Sequence, residues 1–176
     1  MSLFQQLKEA AAQAGLQFLV IGGHAVVEHG FQRGTEDADI MISKEDRARW
    51  LAVVEALGYK LVHDGGTFLQ FAATDASQWD LDLMLVPEAV FVRLLAAGRP
   101  ACLEGANVAV PALEHLLALK IHALKHGRGL RVLKDLTDVA QLITANRVDA
   151  KAPWLRALFD KHGNQELYER VVQLLT

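Results

Sequence analysis

Four aspartates stand out by position. In Asp37-Ala38-Asp39-Ile40-Met41-Ile42, a strand would send Ala38, Ile40 and Ile42 to one face and Asp37, Asp39 and Met41 to the other. In Trp79-Asp80-Leu81-Asp82-Leu83-Met84-Leu85, the odd positions form an apolar face, while Asp80, Asp82 and Met84 share the opposite one. If the two strands are neighbours, several carboxylates converge. Like charges that close repel one another, and a divalent cation relieves the repulsion. Oxygen-only ligands suit Mg²⁺ (or Mn²⁺). Two such ions can activate an attacking hydroxyl and steady a leaving pyrophosphate. One Asp-x-Asp pair is more simply a solvated sheet face. A second pair and a glycine turn tilt the reading toward metal.

That turn is Gly22-Gly23, after the apolar run Gln17–Ile21 and before a helix over His24–His29. Glycine permits positive φ and lets the backbone approach a ligand closely, and the N–H groups beyond it suit phosphate. Arg33 and Thr35, between the turn and the first acidic pair, either touch phosphate or brace the loop. His24 either bonds phosphate or packs in the core. No GxxxxGK[ST] or GxGxxG motif is present.

Around these residues the pattern predicts an α/β region and a helical one. A helix over Leu3–Ala14 ends at Gly15. Ser43 is expected to cap a helix that runs to Leu57, with Asp46 in the capping-box position. Tyr59–His63 and Thr67–Ala72 read as a hairpin about Asp64-Gly65-Gly66. Trp79–Val86 is a strand, Pro87 opens a short helix, and Ala101–Leu103 and Asn107–Val110 are short strands. Beyond Pro111 the period turns helical over Ala112–His126, Leu130–Ala145, Lys151–Lys161 and Gln165–Leu175. The expected division is a core over 1–110 and a helical subdomain over 111–176.

The chain has 176 residues, a net charge of -3 and interspersed charges, so it does not read as a wholly basic nucleic-acid binder. Its single cysteine, Cys102, excludes an intrachain disulfide and reads as a small core residue. No signal peptide or membrane-length apolar run is visible, so a cytoplasmic location is expected.

In the helical third, Lys120 lies on a stripe with Leu116, Leu117, Ala123 and Leu124. Such a lysine either meets a fixed anion, for which triphosphate is suited, or snorkels outward. Arg128, Arg131 and Lys134 add positive charge, and Asp135 and Asp138 are expected to pair with these cations. His122 and His126 have zinc-compatible spacing, but without HExxH they read as structural.

Taken together, Ile21-Gly22-Gly23-His24-Ala25, Arg33-Gly34-Thr35-Glu36-Asp37-Ala38-Asp39-Ile40 and Asp82-Leu83-Met84 resemble the polymerase-β-like nucleotidyltransferase superfamily. The likeness is strongest to its bacterial AbiEii-like branch, which also carries a helical motif matched by Lys120, Arg128 and Lys134-Asp135-Leu136-Thr137-Asp138. The resemblance implies a nucleotidyltransferase fold, a mixed sheet flanked by helices. It implies metal at Asp37, Asp39 and Asp82, with Asp80 as rival to Asp82. Nucleotide would be held by Gly22, Gly23, Arg33, Thr35 and Lys120. The reaction would pass a nucleoside monophosphate from NTP to a hydroxyl of RNA, protein or a small molecule. Members of the branch include toxins of toxin–antitoxin pairs, so an antitoxin partner is a further expectation. The competing expectations are a catalytically silent binding protein of the same fold and an RNA-binding helical module.

Overall fold

A computed structural model describes residues 1–175. The chain forms two compact units. The first comprises Met1–Ala25 and Arg33–Pro111, and the second comprises Val26–Gln32 and the chain from Ala112 onward.

The first unit is built on a five-stranded mixed sheet in the order β1-β2-β5-β4-β3. Its strands are β1 (Leu19–Val20), β2 (Asp37–Ser43), β3 (Tyr59–Asp64), β4 (Phe68–Ala73) and β5 (Asp80–Val86). The predicted hairpin is present, as antiparallel β3 and β4 with an irregularity between Leu61 and His63. β5 is antiparallel to β4 and parallel to β2. The β2–β5 register sets Asp37 beside Asp80 and Asp39 beside Asp82. Alternation then does what the residue types require. Ala38, Ile40, Ile42, Leu69, Phe71, Leu81, Leu83 and Leu85 are all buried, and each large member contributes roughly 1.5–3 kcal/mol by leaving water. The aspartates take the other positions.

Helix α1 (Leu3–Ala14) begins with a capping box. The Gln5 amide donates to the Ser2 hydroxyl at 3.3 Å, and the Ser2 amide donates to Gln5 Oε1 at 2.9 Å. Helix α2 (Gly22–Glu28) begins at the glycine pair itself, two residues ahead of the expected start at His24. The helix expected from Ser43 starts later. A 3₁₀ turn, Lys44–Asp46, precedes α3 (Arg47–Ala56). The Ser43 hydroxyl donates to Glu45 Oε2 at 2.7 Å and makes no cap bond. The nearby carboxylate outcompetes the backbone as its partner. After α4 (Glu88–Ala96), strands β6 (Arg99–Leu103) and β7 (Ala106–Val110) form a separate hairpin. Cys102 lies on its exposed face, between buried Ala101 and Leu103. The core position expected for it is therefore wrong by one step of the strand period.

The second unit holds α5 (Leu113–His126), α6 (Leu130–Ala145), α7 (Pro153–His162) and α8 (Gln165–Leu175). Leu116, Leu117, Ile121 and Leu124 are buried with Val139, Ile143, Leu155, Phe159 and Val171. The Asn146 side chain donates to the His29 carbonyl at 2.8 Å and the Leu142 carbonyl at 2.9 Å, tying Val26–Gln32 to the end of α6. Among the described residues, no helix is long and apolar enough to cross a membrane.

Candidate active site

The acidic strands deliver their charges to one place. One carboxylate oxygen each from Asp37, Asp39 and Asp82 lies within 4.8 Å of the others. Asp82 is the most enclosed, 8% exposed, with Gln70 Nε2 at 3.5 and 3.4 Å from its two oxygens. Asp80 does not belong to this group. It is exposed, and its Oδ1 accepts from the Ala73 amide at 3.0 Å.

The glycine turn is shaped around the same carboxylates. Gly22 has φ +60°, and a Cβ there would coincide with the Asp39 carboxylate. Both backbone and space therefore demand glycine. A Cβ on Gly23 would lie 2.5 Å from Thr35 Oγ1 and 3.2 Å from Arg33 Nη1. The loop side chains thus rest on the turn. Thr35 Oγ1 donates to the Asp37 carbonyl at 3.1 Å, and Arg33 Nη1 to the Gly34 carbonyl at 2.8 Å. Both bonds brace the loop that leads into β2.

His24 is buried, with its ring centroid 4.9 Å from Phe4 and 4.7 Å from Trp79. Neither ring nitrogen has a hydrogen-bond partner among the described residues. Desolvation holds its pKa below the usual value, with Asp37 opposing and Arg33 reinforcing that shift. Packing, the bland expectation for this residue, is what the aromatic contacts display.

A cleft of about 260 Å³ adjoins the carboxylate group, lined by Glu36, Asp37, Gln70, Phe71, Asp80 and Asp82 together with Val62. Nothing in the sequence pattern singles out Glu36 or Gln70. Gln70 reaches the site because β4 pairs Gln70 with Asp82. Tyr59, in the core, holds the chain that enters β5. Its hydroxyl donates to the Trp79 carbonyl at 3.1 Å at the entry to β5. Burial and then the charge of Asp80 push its pKa up to about 12.

Lys120 belongs to the helical unit. Its ammonium lies 3.0 Å from Asp135 Oδ1 and 2.8 Å from Asp138 Oδ2. Arg131 Nε stands 3.9 Å from Asp135 Oδ2. The expected pairing of these aspartates with cations is present, but Lys120 is the principal cation. Rings of His122 and His126 are 4.6 Å apart on exposed positions, and among the described residues neither joins a group able to hold a metal.

Solved structures share the fold that carries these residues. ANT(2'')-Ia in complex with adenylyl-2''-tobramycin superposes with a TM-score of 0.66 at 16% identity, over 90% of this chain and 96% of that one. The lincomycin-bound lincosamide antibiotic adenylyltransferase LnuA gives 0.58 at 16% identity, over 82% and 98%. An antigenic nucleotidyltransferase-like protein from Paracoccidioides brasiliensis gives 0.57 at 14% identity, over 94% and 88%. A search of curated proteins finds no match. At such identities these likenesses establish the nucleotidyltransferase fold. The sequence profile of one family extends over residues 2–175, almost the whole chain, and by it this protein belongs to the uncharacterised nucleotidyltransferase family.

Proposed function

We propose that this protein transfers a nucleoside monophosphate from NTP to the hydroxyl of a small-molecule acceptor, with Mg²⁺ or Mn²⁺ held by Asp37, Asp39 and Asp82. The observation that carries the reading is the meeting of those three carboxylates within 4.8 Å beside a glycine whose Cα abuts one of them. The donor set fits the ion: every ligand is a hard oxygen and none is thiolate or imidazole. When bound, divalent metal supplies Lewis acidity toward phosphoryl oxygens and lowers the cost of deprotonating a hydroxyl.

The chain's own residues do the rest. The glycine turn lets the backbone approach the β- and γ-phosphates, and Arg33 and Thr35 flank them. The acceptor oxygen bonds to the α-phosphorus as the bridging α–β P–O bond breaks. Pyrophosphate leaves with that electron pair, and a carboxylate oxygen of Asp82 takes the hydroxyl proton. Asp135 and Asp138 supply the fixed anion that the apolar setting of Lys120 calls for, so its place in the nucleotide-binding set rests on the resemblance of its helix to the AbiEii-like branch. That same resemblance is the support for a toxin role with an antitoxin partner, and a small regulator gene next door would favour it. The names of two fold neighbours, one with an adenylylated tobramycin and one a lincosamide adenylyltransferase, favour a small acceptor. We place the activity in the cytoplasm, where NTP and Mg²⁺ are at hand.

Incubation with each α-labelled NTP, Mg²⁺ and a small-molecule extract should give labelled product that Asp39→Ala does not form while remaining folded. Full activity in Asp39→Ala would remove the site. A silent binding protein would instead show no Mg²⁺-dependent heat on titration with NTP.

A further inference from the structure

Asp82 is buried, and one of its oxygens lies within 4.8 Å of carboxylate oxygens of Asp37 and Asp39. A carboxylate so placed is driven away from its like-charged neighbours unless something fixes it. Gln70 is built to do so. Antiparallel pairing of β4 with β5 sets it directly across from Asp82, where the side chains of facing residues start about 5 Å apart. Its Nε2 stands 3.5 and 3.4 Å from the two oxygens, so the amide spans the carboxylate and does not touch one edge alone. Leu69 and Phe71 on either side are buried, which keeps Gln70 on the opposite, carboxylate-bearing face of the sheet. Among the described residues that line the adjoining cleft, Gln70 alone carries a side-chain hydrogen-bond donor.

The residue type matters as much as the place. A lysine or arginine across from Asp82 would also orient it, but its charge would neutralise the group and compete with a metal ion. Lys120 does just that to Asp135 and Asp138 in the helical unit. An amide donates a hydrogen bond and adds no net charge, so the three carboxylates keep their full attraction for a divalent cation. An apolar residue would add no charge either, but would leave Asp82 without this donor. We infer that Gln70 is a positioning residue. It acts through Asp82, holding that carboxylate in the orientation that binds the ion and receives the acceptor proton. This rests on the metal reading of the triad and adds to it a residue outside the ligand set. Hydrogen-bond partners of a ligating side chain set metal affinity by about 10–100-fold.

The test uses the full chain and Mn²⁺ alone, with free ion followed by electron paramagnetic resonance. Gln70→Met keeps the length of the side chain and loses the amide. It should raise the Mn²⁺ Kd about tenfold, while the denaturation midpoint of the metal-free protein stays that of the parent. Gln70→Lys supplies a charged donor instead. It should weaken Mn²⁺ binding further than Gln70→Met does, and the metal-free variant should melt above the parent because its ammonium relieves the repulsion among the carboxylates. A merely structural glutamine predicts the opposite pattern, a lowered midpoint in Gln70→Met with the Kd unmoved. That pattern overturns the inference. So does any Mn²⁺ Kd for Gln70→Met within about twofold of the parent's, short of the loss expected on removing such a partner. Should Gln70→Met not fold, Gln70→Lys decides, and parent-like Mn²⁺ binding in it overturns the inference. If the parent binds Mn²⁺ and Asp39→Ala does not, but the Gln70 variants match the parent, the inference fails and the proposed function stands. If the parent takes up no Mn²⁺ even with NTP present, the proposed function fails and the inference goes with it.

Discussion

In the helical unit, Asp135 and Asp138 close on Lys120, whose ammonium sits 3.0 and 2.8 Å from them. In the α/β unit, Asp37, Asp39 and Asp82 close on one another, with oxygens within 4.8 Å. Both are groups of aspartates beside apolar cores, yet they ask for different things. A lysine supplied by the chain turns buried carboxylates into a structural clamp, whose loss uncovers an uncompensated charge. Three carboxylates drawn together gain from a cation added from outside. The first arrangement is a structural clamp and the second is the site we propose for chemistry, so removing an aspartate should separate the two.

The largest effect is expected on catalysis. Asp39→Ala should lower the nucleotidyl-transfer rate by roughly two to three orders of magnitude, the size of losing one electrostatic stabiliser of a transition state. Its denaturation midpoint should stay near or above that of the parent, because a like-charge contact has been relieved. Asp138→Ala should do the reverse. It leaves Lys120 short of a partner at a site whose aspartate side chain is 1% exposed, and chemical denaturation should record a loss of about 3–5 kcal/mol. A Lys120→Met variant that is as stable as the parent but loses NTP affinity would break the comparison, since the clamp would then serve the nucleotide.

Gly22→Ala comes next. At φ +60°, with the Asp39 carboxylate where the new methyl must go, the strain alone is about 1–2 kcal/mol. Displacement of Asp39 should abolish Mg²⁺-dependent NTP binding in calorimetry even where the variant folds. A metal titration sharpens the contrast further. Mg²⁺ at a hundred times its Kd should stabilise the parent by about 2.7 kcal/mol in thermal melts, and Asp39→Ala should show little of that gain.

The smallest effect is on acid sensitivity. Burial depresses the pKa of His24 in the α/β unit, and that of His162 in the helical unit, the latter also through Lys161, His122 and Lys125. An unfolded chain takes up these protons first. The stability associated with the neutral rings is therefore complete above 6.5, the ordinary histidine value, and falls as pH drops through it. Melting curves across that range should show the fall. His24→Phe, which keeps the aromatic packing on Phe4 and Trp79, should reduce it. Added salt should soften the part due to His162, whose like-charge neighbours are screened, and leave the desolvation of His24 untouched.

Much of the candidate site was readable along the chain because its signals are local. Strand alternation separates Asp37 and Asp39 from Ala38 and Ile40 whatever the strand pairs with. The Gly22-Gly23 turn announces itself by residue type. Alternation alone did not separate Asp80 from Asp82, since both share a face and a charge, and only the family resemblance favoured Asp82. The choice depends on which of them reaches Asp37 and Asp39, and β2–β5 register and side-chain direction set that. Gln70 was missed for the same reason, being an ordinary polar residue until its pairing with Asp82 brings it to the cleft. Cys102 was misjudged because a mostly apolar neighbourhood hides which strand face looks outward.

The sequence by itself determined the periodicities: alternating strands with acids on one face, a glycine turn ahead of them, and a helical last third with a lysine in its apolar stripe. These follow from each residue's neighbours two to four positions away, where backbone geometry leaves few options. Tertiary structure alone decided which charges meet. Asp37 and Asp39 find Asp82 across a parallel pairing more than forty residues on, and Lys120 finds Asp135 and Asp138 across two helices. Coulomb energy depends on distance in space, and distance along the chain carries no record of it.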